Sequence, residues 1–146
     1  MDSSSPPMNI IIIEDNQDHA RILKWAFEQN SRNDQLVFFA DPQVALDFVT
    51  GTKKEHAFAP DLVFLDLNLP KIDGRDVLRV LKSTESTKKI PVIVLSSSDR
   101  EEDVHFAYQL GANTYISKSL LLNQLTLSLK TILDYWSQIA KLPPRT

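Results

Sequence analysis

Short apolar runs alternate along the chain with longer segments in which apolar residues recur every three or four positions. The short runs are typical of buried strands, and the wider spacing is typical of helices with one buried face. The alternation predicts an α/β fold in which crossover helices join the strands of a parallel sheet. The predicted strands are 9–13, 35–40, 61–70, 91–95 and 114–117.

The segments between and after these strands predict helices, and the last of them is unusually long. Pro42 suits a first helical turn, whereas Gly51 and Gly111 suit helix ends. The sequence Ser-Asp-Arg-Glu at 98–101 fits a capping box. Three of the predicted helices are about 17–30, 42–50 and 121–141. A fourth follows the loop at 71–74 and has Val77, Leu78 and Leu81 on its inner face, and a fifth begins at 98–101 and ends before Gly111.

Polar side chains stand at the ends of four of these apolar runs. Asp66 interrupts the third run (DLVFLDLNLP) near its end, and Glu14 and Asp15 follow the first. Ser96 follows the fourth run and Lys118 follows the fifth. Parallel strands joined by crossover helices end at the same edge of a sheet, so these side chains are expected to converge there.

Taken singly, these side chains have ordinary structural explanations: Asp15 and Ser96 as helix caps, Asp66 as a turn residue, and Lys118 as a solvated side chain. Together they indicate chemistry, because clustered carboxylates repel each other without a cation, and oxygen ligands suit Mg²⁺. A phosphoryl group could then approach, with Lys118 and Ser96 binding its oxygens and Asp66 acting as the nucleophile.

Composition narrows the class of protein. The chain has 146 residues, 42% hydrophobic and 24% charged, as in one globular domain. Its net charge of -3 favours neither nucleic acid nor a membrane as a partner, and the run at 10–13 is too short for a membrane span. Cysteine is absent, and the histidines show no zinc-ligand spacing. We expect a cytoplasmic protein with a disordered tail at 1–8, a domain at 9–142, a tail at 143–146 and no effector domain.

An ordered set of motifs runs along the chain: Glu14-Asp15, then Asp66 with Pro70 and Asp73-Gly74 behind it, then Ser96, then Lys118 after Gly111-Ala-Asn-Thr-Tyr115. In order and spacing, this set resembles the receiver domain of two-component response regulators, which are CheY-like proteins. The resemblance covers about residues 9–135. It implies a five-stranded doubly wound parallel sheet of flavodoxin-like order, and a signalling protein rather than an enzyme.

The resemblance also implies a role for each motif. Asp66 would accept a phosphoryl group from a phosphohistidine of a sensor histidine kinase. Mg²⁺ would be held by Asp15, Asp66 and the backbone carbonyl of Asn68, and Glu14 would act through a bound water. Lys118 and Ser96 would bind the phosphoryl oxygens. Ser96 and Tyr115 would form the switch pair, although Tyr115 is equally well explained as an edge-strand core residue.

The chain departs from the family pattern in three places. Ser119 follows Lys118 where the family has a cis proline, and a cis bond without proline costs about 3–4 kcal/mol, so both isomers stay open. Glu14 replaces the commoner aspartate. Leu67-Asn68-Leu69 stands where methionine is frequent; Asn68 and Ser98 flank the phosphoryl site and are expected to influence how fast water attacks it.

Two alternative functions come from other classes. A phosphatase with an aspartate nucleophile would need a second aspartate two residues later as its general acid, and that position is Asn68. It would also need a cap domain. A module that binds partners without phosphorylation is the second alternative, and the complete set of Asp15, Asp66, Ser96 and Lys118 argues against it.

Two surfaces are predicted to bind proteins. His19, Ile22 and Trp25 lie off the buried stripe of the first helix, which suggests a kinase contact around that helix and Ser119. The last helix has a core stripe of Leu122, Leu125, Leu129, Ile132, Leu133 and Trp136, yet further apolar residues lie outside it: Leu127, Tyr135, Ile139 and Leu142. This extended helix resembles that of single-domain regulators paired with phytochrome-type sensor kinases, and it predicts a homodimer.

Overall fold

The computed structural model describes residues 6–30, 32–51, 58–69 and 73–145. Its strands are β1 (Asn9–Ile13), β2 (Gln35–Phe39), β3 (Leu62–Asp66), β4 (Val92–Ser96) and β5 (Thr114–Ser117). They form one parallel sheet in the order β2-β1-β3-β4-β5. The predicted doubly wound sheet of flavodoxin-like order is confirmed. Pro70 and Lys71, on which part of the motif prediction falls, lie outside the described residues.

Helices cover both faces of the sheet. They are α1 (Gln17–Gln29), α2 (Pro42–Val49), α3 (Gly74–Ser83), α4 (Glu101–Gln109), α5 (Lys118–Asn123) and α6 (Leu125–Asp134). The first and the last two pack on one face, and the other three pack on the opposite face. None of the helices in the described part of the chain combines the length and apolar content needed to span a bilayer.

The strand order explains where polar side chains can meet. β3 and β4 are buried along their whole length, because helices cover both of their faces, whereas the edge strands β2 and β5 are largely half-buried. From β1 the chain moves outward to β2 and then returns across β1 to β3. The crevice between the C-terminal ends of β1 and β3 is therefore a topological switch point, where ligands bind in open α/β sheets.

The predicted helix over 121–141 is wrong in its bounds and its continuity. Helical structure begins at Lys118, where the Ser117 side chain caps α5, and it is interrupted at Gln124, with φ -131° and ψ 53°. After α6 a π-helical turn spans Tyr135–Ile139 and closes with a bond from Ala140 N to Tyr135 O. Position 124 is neither glycine nor proline, so no familiar sequence signal marked the interruption.

The predicted capping box at 98–101 is also wrong. α4 begins at Glu101 and its cap residue, Arg100, makes no side-chain capping bond. The Ser98 hydroxyl instead donates to the Asp103 carboxylate over 2.6 Å and accepts from Arg100 N. The serine therefore closes a local turn before the helix, because its hydroxyl is engaged by Asp103 and Arg100 N instead of capping a helical amide.

The predicted tails at 1–8 and 143–146 are partly contradicted. Residues 1–5 and 146 lie outside the described residues, but Met8 is only 2% exposed and Gln35 N donates to its carbonyl. Arg145 donates from Nη2 to Asp61 Oδ2 over 2.6 Å and to the Pro7 carbonyl. Both ends of the described chain therefore belong to the domain, because a buried carboxylate and backbone carbonyls offer them partners.

Candidate functional site

Three carboxylates meet at the switch point. Glu14 and Asp15 directly follow β1, and Asp66 is the last residue of β3. One carboxylate oxygen from each lies within 4.8 Å of the others, close enough for a single cation to contact all three. Glu14 and Asp66 are buried, and Asp15 is half-buried. The sequence prediction that these side chains converge is thus met by their positions.

Lys118 brings a positive charge to this cluster from the start of α5. Its Nζ lies 2.8 Å from Glu14 Oε1 and 3.1 Å from Asp66 Oδ2. The lysine reaches the site because Ser96 and Ser117 are paired in the register of β4 and β5, which places the end of β5 at the same edge. The peptide bond to Ser119 is trans, which decides between the two isomers left open by the sequence.

The carboxylate of Glu14 is paired with Lys118 through Oε1 and accepts from Asn16 N through Oε2 over 3.2 Å. Besides the Lys118 ammonium 2.8 Å away, no donor among the described residues reaches the buried Oε1 oxygen of Glu14. Burial raises the pKa of Glu14 from its ordinary 4.5 to about 7; Lys118 acts in the lowering direction and Asp66 in the raising direction. A buried oxygen with spare accepting capacity next to two further carboxylates is a donor set that fits a hard divalent cation.

Asp66 keeps both of its oxygens engaged. Asn68 N donates to Oδ1 over 2.9 Å, and Lys118 Nζ donates to Oδ2 over 3.1 Å. These two donors fix the orientation of the carboxylate at the end of β3, and each oxygen retains a lone pair that can take a further ligand. The arrangement supplies a nucleophilic oxygen beside a cation, as phosphoryl chemistry needs.

The side chain of Asn68 ties the loop after β3 to the loop after β4. Its Oδ1 accepts from Ser97 N over 3.0 Å, from Ser97 Oγ over 3.1 Å and from Ser96 Oγ over 3.4 Å. The sequence prediction concerned the backbone carbonyl of Asn68 as a metal ligand, and it said nothing of this bridge. An amide oxygen that accepts three donors holds the Ser96 hydroxyl toward Asn68.

Ser96 and Tyr115 are linked through the loop that follows β4. Ser96 is 2% exposed, and its Oγ accepts from Ser98 N over 3.1 Å. Tyr115 on β5 is half-buried, and its hydroxyl donates to the Ser98 carbonyl over 2.8 Å. A movement of Ser96 would therefore shift the Ser98 turn and with it the ring of Tyr115. The switch role of the pair stays a prediction.

His19 is a site residue that sequence reasoning did not place here. It was counted among the scattered histidines and as part of a contact surface, yet its Nδ1 lies 2.9 Å from Lys118 Nζ. It occupies the first turn of α1, one turn after the acidic pair, and is half-buried. One signal for this placement was available in the sequence. His19 lies one helical turn beyond Asp15, and that turn borders the ends of β1 and β3.

An open cavity of about 440 Å³ lies beside the cluster. Its described lining belongs to the loops after β3 and β4 and to the first turns of α3 and α4: Leu67, Asn68, Leu69, Asp73, Arg75, Ser96, Ser98 and Asp103. The cavity therefore adjoins the Ser96 hydroxyl and the Asn68 bridge.

Known proteins share this sequence pattern and this fold. The family model described as the response regulator receiver domain matches residues 10–130. The response regulator Rcp1 of Synechocystis sp. is 35% identical over 143 residues, which are 97% of this chain and 97% of Rcp1.

Two solved structures resemble the fold over nearly its whole length. The phosphorylated cyanobacterial phytochrome response regulator RcpA has a TM-score of 0.86 and 38% identity, covering 95% of this chain and 100% of RcpA. The Mn²⁺-bound form of Rcp1 has a TM-score of 0.83 and 34% identity, covering 94% of this chain and 100% of Rcp1.

Proposed function

The chain belongs to the response regulator receiver family, and from this premise we propose that Asp66 accepts a phosphoryl group from a sensor histidine kinase. In the transfer, an Asp66 oxygen forms a bond to phosphorus while the bond from phosphorus to the kinase histidine nitrogen breaks. The observation that carries the proposal is the single ammonium of Lys118 held between Glu14 and Asp66 at the switch point.

Receiver domains bind a divalent metal, and we propose Mg²⁺ as the ion used here. Asp15, Asp66 and the backbone carbonyl of Asn68 would hold it, and Glu14 would contact it through a water. An ion held by these residues would neutralise the carboxylates, so that an anionic phosphoryl group could approach. Glu14 Oε1 has no donor besides Lys118 among the described residues, which supports a water-mediated contact at that oxygen.

The other side chains of the site would receive and report the phosphoryl group. Lys118 pairs with Asp66 before transfer and is near enough to pair with a phosphoryl oxygen afterwards. We propose that the Ser96 hydroxyl leaves the Asn68 amide for another phosphoryl oxygen, and that the Ser98 turn then shifts the Tyr115 ring. The 3.4 Å contact between Ser96 and Asn68 is long for a hydrogen bond, which favours such an exchange.

We propose that the kinase partner is of the phytochrome type. RcpA is described as a phytochrome response regulator, and its fold covers nearly all of this chain. The kinase would contact α1 and the exposed Ser119, because Ile22 and Trp25 on that helix are 44% and 54% exposed. ATP for a histidine kinase is cytoplasmic, so the regulator would act in the cytoplasm.

We further propose a homodimer formed by the C-terminal helical region. Leu127, Tyr135 and Ile139 are 61%, 47% and 74% exposed, as the sequence pattern predicts for side chains outside the core stripe. Leu142 departs from that prediction, since it is half-buried and packs against the cluster under α1 and α6. The candidate interface is therefore α6 and the π-helical turn.

The direct test measures the protein mass after incubation with acetyl phosphate and Mg²⁺. One added phosphoryl group is expected on the wild type and none on Asp66→Asn. Asp15→Ala and Lys118→Ala should each slow labelling strongly. Absence of labelling in the wild type would favour the phosphorylation-independent interaction module. Labelling of Asp15→Ala at the wild-type rate without Mg²⁺ would contradict the metal assignment.

A second measurement separates the kinase surface from the chemistry. Trp25→Ala should slow transfer from the phosphorylated kinase but leave labelling by acetyl phosphate intact. Val80→Ala, at a residue of α3 that is 37% exposed, is the matched control and should change neither rate. Equal slowing of both reactions by Trp25→Ala would indicate a folding defect instead of a docking defect.

A further inference from the structure

Tyr115 forms hydrogen bonds to both of the segments that bound α4. Its hydroxyl donates to the Ser98 carbonyl over 2.8 Å, in the loop that precedes the helix. Its backbone N donates to the Tyr108 hydroxyl over 3.1 Å, in the last turn of the helix. Ser98 adjoins the proposed phosphoryl site, because its own N donates to Ser96 Oγ, whereas Tyr108 lies at the opposite end of α4. A single residue of β5 thus contacts both ends of this helix.

The backbone N of Tyr115 lies on the free edge of the sheet. β5 is an outermost strand, and Tyr115 is aligned with Val94 of β4. Because the Tyr115 N donates to a side chain of α4, it points away from β4. An N–H on a sheet edge has no strand partner and bonds to water or to a side chain. The Tyr108 hydroxyl takes this place and joins the last turn of α4 to the strand edge.

Few buried side chains hold α4 in position. Of its residues, all of which are described, Ala107 alone is buried, whereas α3 buries four residues. Half-buried side chains of α4 add weaker contacts. Elements with few buried apolar contacts move at a low cost in free energy. The polar contacts at the two ends of α4 therefore contribute a large share of what fixes its position.

We propose that Tyr108 is a positioning residue that holds the last turn of α4 at the β5 edge, so that a displacement at Ser98 pivots the helix about that turn. This inference rests on the proposed function, in which the phosphoryl group draws Ser96 away and shifts the Ser98 turn. The two ends of α4 differ in what they contact. The Tyr108 hydroxyl binds a backbone N that β-sheet pairing keeps in place, whereas the Ser98 carbonyl binds the Tyr115 side chain, which can rotate.

Tyr108→Phe tests this role, because it removes the hydroxyl and keeps the ring. Tyr108 is 48% exposed, so water can reach the freed N–H and the fold should be kept, as thermal unfolding would check. Gln109→Ala, at an exposed position in the same turn, is the matched control. Hydrogen exchange of single backbone amides is measured by NMR with and without excess acetyl phosphate and Mg²⁺. Asp66→Asn under the same conditions gives the baseline without phosphoryl transfer.

The first expected result concerns the protein without acetyl phosphate. The Tyr115 amide should exchange about threefold faster in Tyr108→Phe than in the wild type, because a solvent-exposed hydrogen bond contributes at the lower end of the usual range. Gln109→Ala should leave this amide unchanged.

The second expected result concerns the response to acetyl phosphate. Two amides report on the last turn of α4, since Leu110 N donates to the Phe106 carbonyl and Gly111 N donates to the Tyr108 carbonyl. In the wild type and in Gln109→Ala, exchange should change in the Ser98 turn and stay constant at these two amides. In Tyr108→Phe the change should extend to them, with exchange faster by about twofold or more.

Two outcomes would overturn the inference. One is a Tyr115 amide that exchanges equally fast in the wild type and in Tyr108→Phe. The other is a response to acetyl phosphate at Leu110 and Gly111 that is the same in both proteins. The proposed function would fail separately, through a wild type that is not labelled at all. In that case the exchange of the Tyr115 amide without acetyl phosphate would still test the contact with Tyr108.

Discussion

The Nζ of Lys118 and the Oδ2 of Asp66 lie 3.1 Å apart, joining side chains that are 9% and 2% exposed and 52 residues apart in sequence. Glu14 pairs with the same ammonium group. Removing the lysine side chain therefore leaves two buried carboxylates without compensation. A lost partner in a buried ion pair costs roughly 3–5 kcal/mol. Lys118→Met should therefore lower the free energy of unfolding by about 3 kcal/mol in the absence of Mg²⁺.

Urea denaturation with and without Mg²⁺ checks this expectation. Mg²⁺ should stabilise Lys118→Met more than it stabilises the wild type, since the ion replaces the missing charge. Lys130→Met is the matched control, because Lys130 is 60% exposed and pairs with Asp134 on the helix surface. That change should cost less than about 0.5 kcal/mol. A Lys118→Met protein as stable as the control would contradict the shared-cation arrangement.

Glu14 predicts a pH dependence of metal binding. Its pKa is raised to about 7, mainly by burial, so a metal that requires the ionised form must displace a proton below that pH. The Mg²⁺ affinity should fall about tenfold from pH 8 to pH 6, the change expected for release of one proton from a group with this pKa. Titration calorimetry in two buffers of different ionisation heat would count the proton. An affinity that is flat between these pH values would refute the assignment.

The raised pKa of Glu14 also predicts how the stability of the metal-free protein changes with pH. The folded state holds the Glu14 proton up to about pH 7, whereas an ordinary carboxyl loses it near 4.5. The unfolded state therefore binds fewer protons in this window, and stability falls as pH rises through it. Glu14→Gln should remove that part of the pH dependence and leave the rest of the profile unchanged.

The sheet could be predicted from the sequence because two signals identify its strands, an apolar run and a polar side chain at the end of that run. β3 and β4 are continuous apolar runs, and their ends carry the polar side chains of the site. Convergence then follows from parallel topology alone, without knowledge of any distance. The carboxylates and Lys118 could be assigned to one edge for this reason.

The contacts of His19 and Asn68 could not be predicted in the same way. Each is a bridge between loops or helix ends that are distant in sequence, from His19 to Lys118 and from Asn68 to Ser97. Such bridges depend on side-chain directions at the ends of elements, which periodicity does not specify. The interruption at Gln124 was missed for a related reason, since tertiary packing of Leu121 and Leu125 on either side of it decides the helix path.

The Asn68 bridge predicts local protection of the loop after β4. Asn68→Ala keeps the backbone bond to Asp66 but removes the acceptor of Ser97 N. A hydrogen bond of about 1 kcal/mol corresponds to roughly fivefold in an opening equilibrium, so the Ser97 amide should exchange about fivefold faster. Amides within β4 serve as the internal control and should be unchanged. Unaltered exchange at Ser97 would show that the bridge does not hold this loop.

The pair of Arg145 and Asp61 predicts that the C-terminal segment contributes to stability. Asp61 is 5% exposed and also accepts from Asn9 N, so Arg145→Met would leave a buried carboxylate with less compensation. Because Arg145 itself is half-exposed, we expect Arg145→Met to lower the free energy of unfolding by about 1 kcal/mol. We also expect faster trypsin cleavage after Lys141. Arg79→Met, which breaks an exposed pair with Asp76, is the control and should change neither measurement.

The exposed apolar side chains of the C-terminal region predict the oligomeric state. Tyr135 and Ile139 are 47% and 74% exposed, and a symmetric interface would contain each substitution twice. Tyr135→Asp combined with Ile139→Asp should therefore yield a folded monomer, because charges would be buried against their own copies without partners. Val44→Asp is the control, since Val44 is 50% exposed on α2, across the sheet from α6. Sedimentation velocity at tens of micromolar should show a dimer for the wild type and the control. A monomeric wild type, with and without phosphorylation, would remove the homodimer from the proposed function while leaving the phosphoryl site intact.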